Sequence, residues 1–534
     1  MIDSGPMFLA YRSPTEPETK KFTVGVVLGG RRPPRWTATL LEWMRSVPWL
    51  DVRPFVLAER ETVSPPWLAA RLYARSREEF DPFEEAGPAE EPGTSVVDDA
   101  VSGLPEGGCD LLVWLSEAVR PGARCAEMAR YGVLCVQLGE GLVEPPYWAE
   151  AMRGDTVSTA TLWWHERSFA RGRRLRVAEV KTEMSLRFTV NARECVTAVC
   201  RMIAGETADL ASDAGRWLAR SRGIREEDAP APARRAWPSN GAAVSFLLRQ
   251  AGRSALHRLE SRGRPMRWFT AVRRRPGASY AALGRFDREG FEEVPIPPGS
   301  EMADPFVVEA AGKTWLFHEE VPAGTRKGRL SCLETGTEPG RFSQPFVVME
   351  RDYHLSYPCV FEHAREHFMI PESAGGRTVQ LYRATRFPEE WRLEATLLEG
   401  AEVTDTTPFF DGERWYFFTT TRQPFLETFL FVSDRLDGAW RLHRASPVSA
   451  SVRSSRSAGR LFRQGGRLLR PTQDCTVRYG YAITMNEVRR LTATEFEERA
   501  VDRILPDWSR GLLGTHTLNA GGGIEVIDGL RYQG

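Results

Sequence analysis

Net charge is missing from this chain. Its 71 Lys+Arg are cancelled by 71 Asp+Glu over 534 residues, so no global field draws it to nucleic acid or to an anionic membrane surface. Cysteine patterning is missing too. Cys109, Cys125, Cys135, Cys195, Cys200, Cys332, Cys359 and Cys475 show no C-x-x-C spacing, and several sit in apolar runs such as "YGVLCVQLG". They read as buried thiols, which argues against a zinc site or a disulfide framework. No metal-ligand spacing or cofactor motif stands out elsewhere, so neither a metal nor a cofactor is expected. No run approaches the ~18 apolar residues of a membrane span. The start, "MIDSGPMFLAYRSPTEPETKK", has no basic segment leading into an apolar one, and a cytoplasmic location is the expectation. Lysine is nearly absent: the basic residues are almost all arginine, a compositional habit of GC-rich bacterial genomes.

What is present is ordinary globular composition, 42% hydrophobic and 27% charged, in a chain long enough for two or three domains. From Phe22 the order is strand, helix, strand: "FTVGVVLGG", "WTATLLEWMRSV", "VRPFVLA". Apolar runs alternating with helix-period segments predict a parallel sheet. Residues 76–98 are acidic and Pro/Gly-rich, a solvated loop. The sheet resumes with "CDLLVWLS" and "GVLCVQLG", and an amphipathic helix closes an α/β domain over 22–205. Residues 206–265 read as a linker ("IREEDAPAPARRAWPSNG") and an arginine-rich helical segment whose face is solvated.

After residue 266 the helical period disappears and a repeat takes over. "DPFVVEAAGKTWLF" from Asp304, "YPCVFEHAREHFMI" from Tyr357, "TTPFFDGERWYFF" from Thr406 and "AGRLFRQGGRLLR" from Ala458 each pair two apolar strands about a polar turn. Their starts lie 53, 49 and 52 residues apart, and "HTLNAGGGIEVIDG" follows from His516. Successive hairpins at such a period predict propeller blades. With a strand borrowed from "MRWFTAVRRR" near residue 268 the count is five blades, over 266–534. The innermost strands begin at one mouth of the channel. One ring there gathers Asp304, His354, Tyr357, Asp405, Arg456 and His516; a second, fifteen residues on from each start, gathers Glu319, Glu372, Thr421 and Gln473, with Asp474 beside it. Polar side chains recurring at one register of apolar strands predict a lined pocket. Carboxylates, amides and aromatics suit sugar hydroxyls and the apolar faces of sugar rings, and paired carboxylates suit acid/base work on a glycosidic bond. The plainer alternative is that these carboxylates tie the blades together.

"MADPFVV" resembles the first-blade motif of the arabinanase-type five-bladed glycoside hydrolases, where the aspartate before proline is the general base. More extensively, "ADPFVV", "HEE", "KGRLS", "YHLSYPCVFE", "MIPES", "VQLYRATRFPEEW", "RPTQDC", "YGYAI" and "GTHTLNA" resemble, in order, the propeller domain named after the plant glucosamine inositolphosphorylceramide transferase. That resemblance implies a five-bladed fold in a carbohydrate context, with the transferase chemistry attributed to a separate domain. The hydrolases' second-blade aspartate corresponds here to Ser356 or Tyr357, and their third-blade general-acid glutamate to the shorter Asp405, which puts efficient hydrolysis in doubt. The segment from "GVLCVQLGEGLVEPPYWAEAM" to "ARGRRL" resembles the formyltransferase fold. Cys135 and Gln137 replace that family's Asn-x-His pair, and Ala170-Arg171-Gly172 replaces Asp-x-Gly, so the fold is expected with its chemistry lost. Glu140, Trp148 and His165 are candidates for another site there.

The expectation is therefore a degenerate formyltransferase-like, Rossmann-like α/β domain followed by an all-β five-bladed propeller that binds, and transfers or cleaves, a glycosyl unit. Asp304, Glu372 and Asp405 are the candidate catalytic residues; Glu319, His354, Tyr357, Arg456, Gln473, Asp474 and His516 are the candidate substrate-binding ones. The alternatives are a noncatalytic module docking a glycan or a partner protein, and formyl or acyl transfer to an amino sugar in a rebuilt N-terminal site. A sugar or glycoconjugate is the expected partner.

Overall fold

The structure, a computed structural model, describes residues 21–29, 34–57, 65–76, 95–97, 108–116, 121–139, 146–229, 236–261, 263–274, 277, 279–336, 338–422 and 426–533. It divides into two units, Met1–Leu256 and His257–Gly534.

The first unit is built on one eight-stranded sheet in the order β3-β2-β1-β4-β5-β6-β7-β8. Its strands are β1 (Phe22–Leu28), β2 (Leu50–Leu57), β3 (Ser95–Val97), β4 (Leu111–Trp114), β5 (Val133–Leu138), β6 (Val157–His165), β7 (Arg171–Lys181) and β8 (Glu226–Asp228). The first five run parallel, and β1, β4 and the second half of β2 are near-continuous runs of buried apolar residues, as strands covered on both faces must be. The last three are antiparallel, so the sheet is mixed rather than wholly parallel. The helix that the sequence closes near residue 205 continues over Thr189–Ser212. Near its end Glu206, 1% exposed, accepts from Arg176 Nε and Trp217 Nε1, each at 2.7 Å, and is also paired with Arg220. Burial alone would raise this carboxyl; the two arginines outweigh it and hold the pKa at about 2. In the expected linker region, helix Asn240–Ser261 packs Ala243 and Phe246 against Trp148 and Phe188 of the same unit, while Val244, Leu248 and Leu256 stay exposed.

The second unit is a propeller of five sheets. After β9 (Met266–Arg273) and β10 (Glu292–Glu293), blade 1 holds β11 (Glu301–Ala310), β12 (Lys313–Val321), β13 (Arg329–Thr335) and β14 (Phe346–Met349). Blade 2 holds β15 (Ser356–His363), β16 (Glu366–Glu372), β17 (Thr378–Arg386) and β18 (Glu390–Glu399); blade 3 holds β19 (Val403–Phe410), β20 (Trp415–Thr421), β21 (Thr428–Ser433) and β22 (Arg441–Leu442). Blade 4 holds β23 (Phe462–Gln464), β24 (Arg467–Asp474), β25 (Ala482–Leu491) and β26 (Phe496–Ile504). The fifth blade joins β27 (Leu512–Gly514), β28 (Leu518–Gly521) and β29 (Ile524–Tyr532) to β9 and β10. β9 pairs with β29 over eight residues, so the borrowed strand closes the ring and removes two open edges. Cores lie between successive blades, for example Phe306, Phe317 and Leu330 of blade 1 against Tyr357, Cys359 and Val360 of blade 2.

Candidate functional site

Three innermost strands share one irregularity. In β11, β15 and β19 the register with the neighbouring strand slips between Ala303 and Phe306, Ser356 and Cys359, and Thr404 and Thr407. At each bulge one residue takes the left-handed conformation: Asp304 (φ 50°), Tyr357 (φ 43°) and Asp405 (φ 52°). Such a backbone costs on the order of 1–2 kcal/mol for a non-glycine residue, least for Asp and Asn. Its recurrence at matched positions re-aims the side chain at each bulge, bringing Asp304 and Asp405 into one polar cluster and turning Tyr357 into the blade core.

Asp304, 4% exposed, accepts the backbone N–H of Tyr357 at 3.2 Å and the hydroxyl of Thr517 at 2.8 Å. Its own N–H donates to Asp528 at 3.2 Å. Asp528, mid-strand in β29 and fully buried, also accepts the N–H groups of His516 (2.7 Å) and Thr517 (3.0 Å) and lies 2.5 Å from His516 Nδ1. His516 Nε2 faces Asp304 at 3.6 Å, and its ring stacks on Trp268 at 4.0 Å and meets the edge of Tyr479 at 5.4 Å. Burial would push His516 down, but Asp528 and Asp304 outweigh it and hold it up at about 9. Burial pushes Asp304 up, His516 opposes, Glu319 and Asp528 add repulsion, and the result is about 6. The chain Asp528–His516–Asp304 thus keeps an imidazolium against a carboxyl that titrates near neutral pH.

Asp405, 1% exposed, is gripped by Arg456 through Nε at 2.5 Å and Nη2 at 3.2 Å and by Gln473 Nε2 at 3.1 Å. Arg456 also lies 4.9 Å over the ring of Tyr479, which is 40% exposed. Glu372, 8% exposed, accepts from Ser356 Oγ at 3.3 Å and Ala374 N at 3.1 Å; burial, and then Asp405, raise its pKa, with Arg456 and His354 opposing. Glu319 meets His354 Nε2 at 3.1 Å, while His354 Nδ1 accepts Gly328 N–H at 2.9 Å. That second bond fixes the proton on Nε2. The hydrogen bond to Glu319 raises the His354 pKa, and the side chain is 45% exposed.

The structure thus links Asp304, Glu319, His354, Glu372, Asp405, Arg456, Gln473 and His516 into one electrostatically coupled cluster. Two candidates are placed differently. The Tyr357 side chain is fully buried, with its hydroxyl bonded to Thr407 Oγ1 and Gly459 N–H, each at 2.9 Å. Asp474 caps Thr476 and pairs with Arg503 of β26 at 2.7 Å. Deeper in the channel Arg460 donates to the carbonyls of Val360 (3.0 Å), Val307 (2.6 Å) and Ala520 (3.3 Å), joining the innermost strands of blades 1, 2 and 5 to the entry of blade 4. Sequence reasoning missed Asp528, Trp268 and Tyr479. The one available signal was the aspartate in "GGGIEVIDG", inside an otherwise apolar strand.

Asp304, His516 and Asp528 bring ligand-type atoms within 4.8 Å of one another, the one such group among the described residues. They would offer a divalent ion a donor set only if His516 gave up its proton, and the imidazolium already supplies the positive charge between the carboxylates. In the first unit, Gln137 accepts from Trp163 Nε1 at 2.9 Å and His165 Nδ1 contacts the Arg171 carbonyl at 2.9 Å. Trp148 is stacked on Phe188 at 4.5 Å, and Glu140 lies outside the described residues. No helix among the described residues is long and apolar enough to cross a membrane.

Fold and side chains define a class: a five-bladed propeller with a buried, carboxylate-rich cluster gathered from several blades. Residues 294–514 match the family model described as glucosamine inositolphosphorylceramide transferase 1, N-terminal. Glucosamine inositolphosphorylceramide transferase 1 of Oryza sativa subsp. japonica is 30% identical over 250 residues, 44% of this chain and 34% of that protein. The Arabidopsis thaliana protein of the same name is 29% identical over 209 residues, 38% of this chain and 27% of its own length. The chain therefore spans about a third of the length of these curated relatives. Among solved structures, a family 117 glycoside hydrolase of Zobellia galactanivorans aligns at TM-score 0.33 and 9% identity, covering 50% of this chain and 91% of its own. An α-L-arabinanase of Cellvibrio cellulosa aligns at TM-score 0.30 and 11% identity, covering 42% and 82%. Neither likeness bears on chemistry.

Proposed function

We propose that this is a carbohydrate-handling protein whose propeller mouth binds a glycosyl unit of a glycoconjugate. The observation that carries the proposal is the coupled ring of Glu319, His354, Glu372 and Asp304 beside the exposed ring of Tyr479, in the segment matched to a glycosyltransferase-named family. Carboxylates accept sugar hydroxyls, the Nε2–H of His354 donates, and Tyr479 covers an apolar sugar face. Asp304, titrating near neutrality beside an imidazolium, is the group suited to exchange a proton with a bound hydroxyl, and transfer of the glycosyl unit is the chemistry it would serve.

A noncatalytic binding role is the second reading. It is favoured by the three hydrogen bonds that tie Asp405 to Arg456 and Gln473 and leave that residue 1% exposed. A glycan array probed with the wild-type chain and with Glu319→Gln, Glu372→Gln and Tyr479→Ala tests the binding. Glycan capture lost in all three supports the site; wild-type capture in all three removes it. Adding sugar-nucleotide donors and acceptors then separates transfer from binding. For the first unit we keep the formyltransferase-like reading without formyl transfer, supported by Gln137 and Ala170 at that family's catalytic positions; formyl turnover from a formyl-folate donor would refute it.

A further inference from the structure

Beside the mouth, the propeller carries a cavity of about 350 Å³ lined by Arg267, Phe269, Glu293, Val294, Ile296 and Arg531 among others. It lies within the usual size of small-molecule sites. The fifth blade builds it: Arg267 and Arg531 are directly paired across β9 and β29, and Glu293 and Val294 lie on and just after β10. The two arginines are in different states. Arg531 is held bidentately by Glu293, each bond 2.5 Å, and lies 4.3 Å over the ring of Phe269. Arg267 donates through Nη2 to the Pro297 carbonyl at 2.8 Å, but its Nε is buried with no hydrogen-bond partner. Its charge is opposed by Glu301 only at longer range and repelled by Arg531. Among the described residues the Arg267 guanidinium has one hydrogen bond and no ion pair, so where this residue lines the cavity it has donors to spare for an anion. Phe269, Val294 and Ile296 supply apolar wall beside it.

We propose that this cavity is a second binding site, for a small anion with an apolar body, whose carboxylate or phosphate accepts from the Arg267 guanidinium while its body lies along the wall of Phe269, Val294 and Ile296. Glu293 neutralises Arg531, so the site takes a singly charged head more readily than a dianion. This site is independent of the sugar reading at the mouth. Trp268 adjoins Arg267 in the chain and stacks on His516, so the two sites share one strand.

The test is calorimetric titration of the full chain at low ionic strength with phenyl phosphate, benzoate, inorganic phosphate and phenol. Binding of benzoate tighter than of phenyl phosphate, and at least tenfold tighter than of phenol or inorganic phosphate, is expected at neutral pH, where benzoate is the monoanion and phenyl phosphate mostly the dianion. Arg267→Met is expected to weaken the tighter of the two by ~10-fold or more, the worth of one charge-assisted hydrogen bond; Lys313→Met, on the outside of blade 1, is expected to change nothing. Absence of binding by the wild type, equal affinity for phenol, or unchanged affinity of Arg267→Met would overturn the proposal. Should that variant fail to fold, the wild-type chain is treated with phenylglyoxal and the modified arginines mapped by mass spectrometry. Slower modification of Arg267 in the presence of the bound anion supports the site, and an unchanged rate overturns it.

Discussion

Replacing Asp528 by Asn isolates what holds the proton on His516. The wild-type imidazole is held at about 9 against an ordinary 6.5. A folded-state pKa raised above the unfolded value contributes stability that is fully present below pH 6.5 and lost as pH rises through 9. That rise corresponds to about 3 kcal/mol at 1.36 kcal/mol per pH unit. Asp304 runs in the same direction at lower pH: with its pKa raised to about 6, its ionisation costs stability as pH rises from the ordinary carboxylate range through 6. Asp528→Asn removes the nearest negative charge, so His516 is expected to titrate near or below its ordinary value, and the stability lost above pH 7 in the wild type disappears. The assay is a carbon-13 NMR titration of ring-labelled histidines, with His516→Gln identifying the resonance among the eight in the chain, alongside thermal melts from pH 6 to 10. A wild-type His516 that titrates at or below 6.5, or an Asp528→Asn chain whose His516 still titrates near 9, would refute the reasoning.

Asp304→Asn keeps one acceptor for two donors, Tyr357 N–H and Thr517 Oγ1, and is expected to destabilise the propeller by ~1–3 kcal/mol; Glu372→Gln, at the edge of the mouth, is expected to lower the melting temperature much less while still abolishing glycan capture. Glu206→Gln leaves Arg176 and Arg220 facing each other over a neutral amide, and ~3–5 kcal/mol should be lost from the first unit, read as a lowered melting transition of residues 1–256 expressed alone or of the full chain. The propeller closes its own ring through β9 and β29, so residues 257–534 expressed alone should be soluble with a cooperative melt. Removing 524–534 from that fragment should abolish the melt, because β9 loses its partner.

The repeat was legible because each hairpin carries its own apolar alternation and turn, and the shared register brought Asp304, Asp405, Glu372 and Glu319 to one end of the channel. What the register could not give was side-chain direction at the bulges. Tyr357 occupies the position matched to Asp304 and Asp405, yet a bulky aromatic in a left-handed backbone sinks its ring into the blade core, where Thr407 and the Gly459 N–H satisfy its hydroxyl. Asp528, Trp268 and Tyr479 escaped because they come from β29, β9 and the loop after β24, outside the hairpin starts on which the alignment was built. In the first unit, alternation of strand and helix gave the parallel half of the sheet, but β6 and β7 are hairpin-like and antiparallel, which period alone does not distinguish from parallel strands.

Arg460 and Tyr357 together cross-link the inner strands below the carboxylate cluster. The guanidinium reaches carbonyls three residues past Asp304 and Tyr357, ~10 Å along the strands from the carboxylate ring, and the tyrosine spans from blade 2 to Gly459. At Gly459 any side chain would collide with the Leu518 carbonyl, since a Cβ would lie 2.1 Å from it. A tunnel lets a chain thread through and be worked on while it moves; a well with one opening does not. If the propeller takes the glycosyl unit proposed above and this cross-link closes the channel beneath it, the unit must leave by the rim at which it entered, and residence at the rim then sets the pace of exchange.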